Sequence, residues 1–460
     1  MRRDLANLAR VAAGVVQGDN AAFGAVMTDT RAIEPGALFV ALRGERFDGH
    51  DFVADAAARG AAAALVSRRV SAPIPQVVVS DTLAALSAFA NAWRCECAVN
   101  VIGVTGSNGK TTVKEMLGAI LARLGPCLVT QGNLNNHIGV PLTLCRLDGT
   151  HRHAVIEMGA NHPGEIAHLA AIAQPNVGLV INAGPAHLEG FGGIDGVARG
   201  KGEMFAALGA EDAAVINADD RYAALWRGLA GTAGRVTTFG MREPADVSAS
   251  GMTARLTDAG FVTEFDLDTT QGRRHVALQL AGEHNVMNAL AAAAAALAAG
   301  ADLETVKQGL ESMRPVAGRL EVKAALHGAR LIDDSYNANP GSLRAGLRAL
   351  ADIPGERWLV LGEMAELGPD AARLHAELGE FARANGVSRL YAIGGEARHA
   401  VEAFGPGASW FANADELVAA VKPGLRPGLT VLVKGSRVNR LERVTGALAP
   451  AGHTTGAGSH

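Results

Sequence analysis

Gly103-Val104-Thr105-Gly106-Ser107-Asn108-Gly109-Lys110-Thr111-Thr112 follows a β-branched run beginning at Val101 and opens a helical stretch, Val113–Leu124. Strand, glycine turn, Lys-Thr and helix in that order predict a loop that holds nucleotide phosphates. Gly106 and Gly109 allow the tight turn that aims backbone N–H groups at phosphate oxygens. The helix N-terminus that follows adds a partial positive charge. Lys110 can reach the β- and γ-phosphates, and the Thr111 hydroxyl can ligate Mg²⁺. The strict G-x-x-x-x-G-K-[ST] pattern would need glycine at position 104, where valine stands, so the match is to the shorter G-x-x-G-K-T-T form. The candidate ATP-binding set is therefore Thr105, Gly106, Ser107, Asn108, Gly109, Lys110, Thr111 and Thr112.

Outward from this loop the chain reads as strand then helix, repeatedly. Val101–Val104, Ala154–Ile156, Val177–Ile181 and Ala213–Ile216 are apolar strand candidates, each followed by a loop and a helical stretch. That is the signature of a parallel, doubly wound sheet, which binds ligands where loops leave the carboxyl ends of its strands. Glu157 directly follows one of these strands, where an acid can hold Mg²⁺ directly or through water. Ala254–Leu256, Phe261–Leu267 and Val276–Leu280 alternate polar and apolar and predict antiparallel strands. Upstream, Ala37–Leu42, Ala61–Val66 and Val77–Val79 predict a small α/β unit, with helices over 51–58 and 81–94. Downstream of Pro315 and Gly318 a second strand–helix series runs through Ala329–Ile332, Trp358–Leu361, Leu390–Ile393 and Thr430–Val433. The expected fold class is α/β in three domains. These are a small N-terminal domain (1–83), a central P-loop domain with a mostly parallel sheet (84–314) and a C-terminal Rossmann-like domain (315–460).

Composition limits the function. The 460 residues carry 42 Lys plus Arg against 46 Asp plus Glu, a net charge of −4, so no broad attraction to nucleic acid or an anionic membrane is expected. Hydrophobic residues make up 48% and aromatic residues 4%, so the core must be built from Ala, Val, Leu and Ile rather than rings. Cys95, Cys97, Cys127 and Cys145 form no C-x₂-C pair and read as reduced thiols. No run of 18 apolar residues and no signal-peptide pattern appear, so a cytoplasmic protein without a membrane span is expected, acting as a monomer. No N-K-x-D motif marks a regulatory GTPase, and no G-x-G-x-x-G follows an early strand as a dinucleotide oxidoreductase would require. A P-loop NTPase that hydrolyses ATP without joining anything remains the rival from another class.

Further stretches carry a resemblance. Thr28-Asp29-Thr30-Arg31 and Gly44-Glu45-Arg46-Phe47-Asp48-Gly49-His50 lie in the first unit. Gly132-Asn133-Leu134-Asn135-Asn136-His137, Glu157-Met158-Gly159, Ala186-His187-Leu188-Glu189-Gly190, Lys201-Gly202-Glu203 and His284-Asn285-Val286-Met287-Asn288 follow in the second. Asp333-Asp334-Ser335-Tyr336-Asn337-Ala338-Asn339-Pro340, Gly362-Glu363-Met364 and Lys434-Gly435-Ser436-Arg437 stand in the third. Together with the phosphate loop, these stretches resemble the Mur ligase family, ATP-dependent amide-bond ligases of bacterial cell-wall synthesis. The sibling that adds the third amino acid typically carries D-N-P-R in its last domain, which is absent here. The 333–340 stretch is similar instead to the type that adds D-alanyl-D-alanine.

The resemblance implies a reaction and a set of roles. ATP phosphorylates the terminal carboxylate of a UDP-MurNAc-tripeptide, and the amine of D-alanyl-D-alanine attacks the acyl phosphate. Thr111 and Glu157 are implied for one Mg²⁺, and His187 and Lys201, the latter as a carbamate, for a second. Gly200 stands where the family has alanine or a similar residue, weakening the helix slightly. Asn285 and Asn288 are implied at adenine, Asp334 at the ribose, and Arg319 at the γ-phosphate. Lys110, Lys201, His187, Glu157 and Arg319 form the candidate catalytic group. Thr30, Arg31, Gly44, Glu45 and Phe47 belong to the part of the family that holds the UDP end. Asn133, Asn135, Asn136 and His137 could meet the sugar–peptide or satisfy a turn. Tyr336, Asn337 and Asn339 could face the dipeptide or nucleotide, or form an Asx turn before Pro340.

Overall fold

Successive side chains of the central strands point into two different cores, as expected when an apolar strand is covered on both faces. In Asn100–Thr105, Val101 enters one core while Ile102 and Val104 enter the other. In Ala213–Asn217, Ala214 and Ile216 share the core of Val101, and Ala213 and Val215 the opposite one. The computed structural model describes residues 3–44, 47–257 and 260–450.

Three sheets follow one another along the chain. The first has five strands in the order Val15–Gln17, Gln76–Val78, Ala63–Val66, Leu38–Val40, Val26–Met27, parallel except at Val15–Gln17. The helix Thr82–Glu96, capped by Asp81, seals it to the central unit. Ala85, Leu86 and Phe89 of this helix share one core with Leu38 and Leu65 of the first sheet and with Leu144 and Leu169 beyond it.

The central sheet has nine strands. Its seven neighbours from Cys127–Val129 to Val247–Thr257 pair in parallel, and Gly260–Thr269 and Gly272–Leu278 extend it antiparallel. Against one face lie the helix Lys110–Leu121 and the alanine-rich helix Glu283–Ala298. Ala289 and Ala291–Ala296 are fully buried there, so methyl-sized side chains let helix and sheet approach closely.

The third sheet has six strands, in the order Glu321–Ala324, Arg330–Asp334, Leu429–Lys434, Glu356–Gly362, Arg389–Ile393, Ala408–Phe411; only Glu321–Ala324 is antiparallel. Asn339 caps the helix Pro340–Ala351 in a reciprocal box with Ser342. The carboxyl ends of Arg330–Asp334, Leu429–Lys434 and Glu356–Gly362 therefore lie side by side. Among the described residues no helix is long and apolar enough to cross a membrane.

Candidate active site

The strand Asn100–Thr105 lies between His153–Glu157 and Val177–Val180, and from it the strand order runs outward both ways. Its carboxyl end is thus a topological switch point, and the phosphate loop leaves from there. Val104 is buried within this strand, which explains why the turn tolerates valine: the chain does not turn until Gly106. Gly109 has φ of +85° and closes on the alanine-rich helix, where an added Cβ would sit 2.3 Å from Asn288 Oδ1. Two loop amides are instead tied to Asn182, Ser107 N–H donating to its carbonyl and Asn108 N–H to its Oδ1 at 2.9 Å. The Thr105 hydroxyl donates to the Met158 carbonyl at 2.8 Å and so anchors the loop from behind. Lys110 Nζ folds back onto the Gly106 carbonyl at 2.7 Å. Burial pushes its ammonium below the ordinary lysine value; Glu157 opposes this and Arg319 adds to it.

Glu157 is 3% exposed at the end of its strand. One carboxylate oxygen accepts from the Thr111 hydroxyl at 3.2 Å and the other from Asn135 Nδ2 at 2.8 Å. Asn135 is thereby placed as the group that orients Glu157. Behind it stands Lys114, fully buried, donating to the Thr130 carbonyl at 2.8 Å with Nζ 3.8 Å from Glu157. Sequence reading passed over Lys114, although its position one helical turn after Lys110 was a usable signal. A hydroxyl and a carboxylate oxygen side by side beside a phosphate loop fit Mg²⁺, which takes few protein ligands and completes its shell with phosphates and water. Among the described residues no cluster of three His, Cys, Asp or Glu side chains suited to a metal is present.

The second candidate pair lies farther along. His187 sits in left-handed backbone, φ +55°, heading the short helix Leu188–Phe191. Its Nδ1 is 2.6 Å from Glu366 of the third domain. Burial lowers its affinity for a proton and Glu366 opposes this, with Lys110 and Lys201 adding to the lowering. Lys201, on the helix Ile194–Ala206, is 2% exposed, donates to the Ala160 carbonyl at 3.2 Å and lies 5.3 Å from the Phe191 ring centroid. Burial first, and then Lys110, push it down to about 7. Gly200 has a steric reason: a Cβ there would meet the Phe191 ring at 2.4 Å.

The third domain reaches this centre directly. Arg319 Nη2 donates to the Thr111 hydroxyl at 2.9 Å, and Asn339 Nδ2 to Asn108 Oδ1 at 2.5 Å. Asp334 is paired with Lys434 at 2.7 Å, and burial raises its carboxyl despite that partner. Lys434 also holds the Asn337 carbonyl at 3.0 Å. Tyr336 has the Arg319 guanidinium 4.6 Å from its ring centroid and that of Arg437 at 5.6 Å. Asn285 lies inside the alanine-rich helix, whose N-cap is Gly282, and accepts from Asn288 Nδ2 at 3.1 Å.

A cavity of about 760 Å³ unites these groups. Ser107 to Thr112, Glu157, His187, Asn285, Asn288, Arg319, Asp334, Tyr336, Asn337 and Asn339 line it, together with Asn133, Asn135, Asn136 and His137. The Asn136 side chain is also committed to the turn, accepting from Ile138 and Gly139 N–H. Thr105, Gly106 and Lys201 are not among its lining residues. The first-domain candidates do not line it either. Arg31 is exposed and forked onto Asp29, and Gly44 N–H donates to the Phe47 carbonyl at 2.9 Å with the Phe47 ring exposed. Glu45 lies outside the described residues.

Comparison with known proteins gives three family matches in chain order. Residues 23–94 match the Mur ligase family catalytic domain, 104–296 the Mur ligase middle domain, and 318–437 the Mur ligase glutamate ligase domain. The UDP-N-acetylmuramoyl-tripeptide–D-alanyl-D-alanine ligase of Escherichia coli is 43% identical over 97% of this chain and 98% of its own. A MurF crystal structure from Acinetobacter baumannii superposes with a TM-score of 0.90 at 38% identity, covering 97% of this chain and 98% of the other. The MurF ligase of Thermotoga maritima in complex with ADP gives 0.80 at 28% identity, over 92% and 96%. Three domain matches in order and identity along nearly the full length leave one conclusion: the chain belongs to the Mur ligase family.

Proposed function

We propose that this protein uses ATP to join D-alanyl-D-alanine to the terminal carboxylate of a UDP-MurNAc-tripeptide, the activity named for its Escherichia coli relative. The observation that carries the reading is the single cavity in which the phosphate loop, the Glu157 carboxylate and Arg319 of the third domain converge. A carboxylate is a poor electrophile, so an oxygen of it first attacks the γ-phosphorus and ADP leaves. The dipeptide ammonium gives a proton to solvent, the neutral amine then attacks the carbonyl carbon of the acyl phosphate, and the nitrogen's second surplus proton leaves with the phosphate. The bond from that carbon to the phosphate oxygen breaks, and inorganic phosphate departs with the amide formed.

ATP and the carboxylate are both anions, and cations must offset their repulsion as they meet. Lys110 swings from the Gly106 carbonyl to the β- and γ-phosphates, and Arg319 turns from Thr111 to the transferring group. Asn285 and Asn288 read adenine, whose edge matches a donor and acceptor together, and Asp334 holds the ribose. Thr111 and Glu157 would hold one Mg²⁺ and His187 with a carbamate of Lys201 a second; bound there, the ions supply Lewis-acid stabilisation of phosphoryl oxygens. The carbamate forms when the neutral Lys201 amine adds to CO₂ and releases a proton. The buried position of that amine, beside a carbonyl and an aromatic ring, supports this. Thr30, Arg31, Gly44, Glu45 and Phe47 serve the UDP end in the N-terminal domain (1–83), the central domain (84–314) binds ATP, and the C-terminal domain (315–460) brings the amine. We place the reaction in the cytoplasm, where ATP is supplied.

Phosphate release from ATP with purified UDP-MurNAc-tripeptide tests the reading. Release that requires D-alanyl-D-alanine is expected. Release with a single amino acid instead would move the protein to a sibling ligase, and release indifferent to every amine would leave only a hydrolase.

A further inference from the structure

The cavity that would take the phosphates carries cations that serve anions, Lys110 and Arg319, with Lys201 buried outside its lining. The second substrate is different, a zwitterion with an ammonium and a carboxylate about 7 Å apart at full extension. An ammonium entering among these cations needs a carboxylate at the point of attack. The third domain supplies one. Glu366 follows the strand Glu356–Gly362 in left-handed backbone, φ +63°, and its carboxylate crosses the domain boundary to the His187 imidazole at 2.6 Å. A left-handed backbone is strained for a glutamate, and such strain persists where the surroundings hold it.

A cation stands on the neighbouring loop. Arg437 follows the adjacent parallel strand Leu429–Lys434, is exposed, and has no carboxylate partner among the described residues. Its guanidinium lies against Tyr336, on the cavity wall. The two loops are laced together. Ser436 N–H donates to the Glu363 carbonyl at 3.2 Å, Ala365 N–H to Ser436 Oγ at 2.9 Å, and Asn439 Nδ2 to the Glu363 carbonyl at 2.8 Å. The loops that carry Glu366 and Arg437 are thus laced together, with the acid paired to His187 and the cation against Tyr336.

We propose that Glu366 and Arg437 form the seat of the incoming dipeptide, Glu366 receiving its ammonium beside the His187–Lys201 centre and Arg437 receiving its terminal carboxylate. The proposal rests on the ligase reading above. The ammonium replaces the imidazole as the partner of Glu366.

Steady-state kinetics of the full-length protein with D-alanyl-D-alanine and with D-alanyl-D-alaninamide, which lacks the terminal charge, test both ends. The wild type should favour the dipeptide by about tenfold or more in kcat/KM, the scale of one charge-assisted hydrogen bond. Arg437→Ala should lose that factor on the dipeptide and change little on the amide. Glu366→Gln should raise KM for both amines about tenfold, leave KM for ATP and for the tripeptide within twofold, and be partly restored by Glu366→Asp. Both side chains are exposed, and an unchanged thermal midpoint checks that the variants fold. Equal loss on dipeptide and amide in Arg437→Ala, or an unchanged amine KM in Glu366→Gln, overturns the seat. Those results beside dipeptide-dependent wild-type turnover leave the ligase reading intact; a wild type indifferent to the dipeptide removes both.

Discussion

Lys110→Met lowers kcat about 10²- to 10³-fold, the scale of losing one preorganised electrostatic donor to a developing charge. Lys110 serves the chemistry and little else. Among the described residues its ammonium hydrogen-bonds to the Gly106 carbonyl within its own loop and forms no close ion pair. Burial already disfavours its charge, so methionine, of similar length and without charge, should leave the thermal midpoint at or above that of the wild type. When ATP and the carboxylate approach each other, no neighbouring group takes its place, because Arg319 has its own task at the transferring group and Lys114 is tied to the Thr130 carbonyl. Phosphate release under saturating substrates, with thermal unfolding in parallel, checks this. A variant that folds and turns over within tenfold of the wild type contradicts it.

Lys201→Met is expected to be as damaging, about 10²- to 10³-fold in kcat, for a different reason. The wild-type lysine is 2% exposed, points at the Ala160 carbonyl and rests against Phe191, whose ring packs on Gly200. Methionine fills the same space, so packing survives while the means of forming a carbamate is removed. Carbon-13 NMR in labelled bicarbonate separates this from a merely structural role. The wild type should acquire a carbamate resonance and Lys201→Met should lack it. Full activity in a methionine variant, or no carbamate signal in an active wild type, would remove the carbamate from the account.

Much of this was legible in residues alone, and the limits are physical. The central strands were readable because burial on both faces makes them continuous apolar runs; Val177–Ile181 was expected and Val177–Val180 is observed. The edge strands Val15–Gln17, Val26–Met27 and Cys127–Val129 were not, since two or three residues show no periodicity. Arg235–Gly240 and Glu321–Ala324 were missed because polar residues interrupt them. The helix after the phosphate loop begins at Lys110 rather than Val113, because Gly109 ends the turn and Lys-Thr-Thr already occupies its first turn. The residues 51–58 divide into a 3₁₀ turn, Gly49–Phe52, and a helix, Val53–Ala58, since Asp48 caps the earlier turn.

Within the site, local motifs were visible and contacts across domains were not. Gly362-Glu363-Met364 stood out, yet Glu366, two residues on, gains meaning only because folding brings it to His187, 179 positions earlier in the chain. Asn135 read as a substrate or turn residue; its amide on Glu157 depends on the path of the 132–138 loop, which no spacing rule supplies.

The central claim is that ATP activates the tripeptide carboxylate and that the dipeptide displaces phosphate from it. Turnover of UDP-MurNAc-tripeptide carrying ¹⁸O in its terminal carboxylate, followed by mass spectrometry of both products, tests it most directly. With both carboxylate oxygens labelled, the account predicts one ¹⁸O in each phosphate released and a nucleotide product that has gained one D-alanyl-D-alanine, lost the elements of H₂¹⁸O and kept the other label. Phosphate free of label, released whether or not the dipeptide is present, would contradict it.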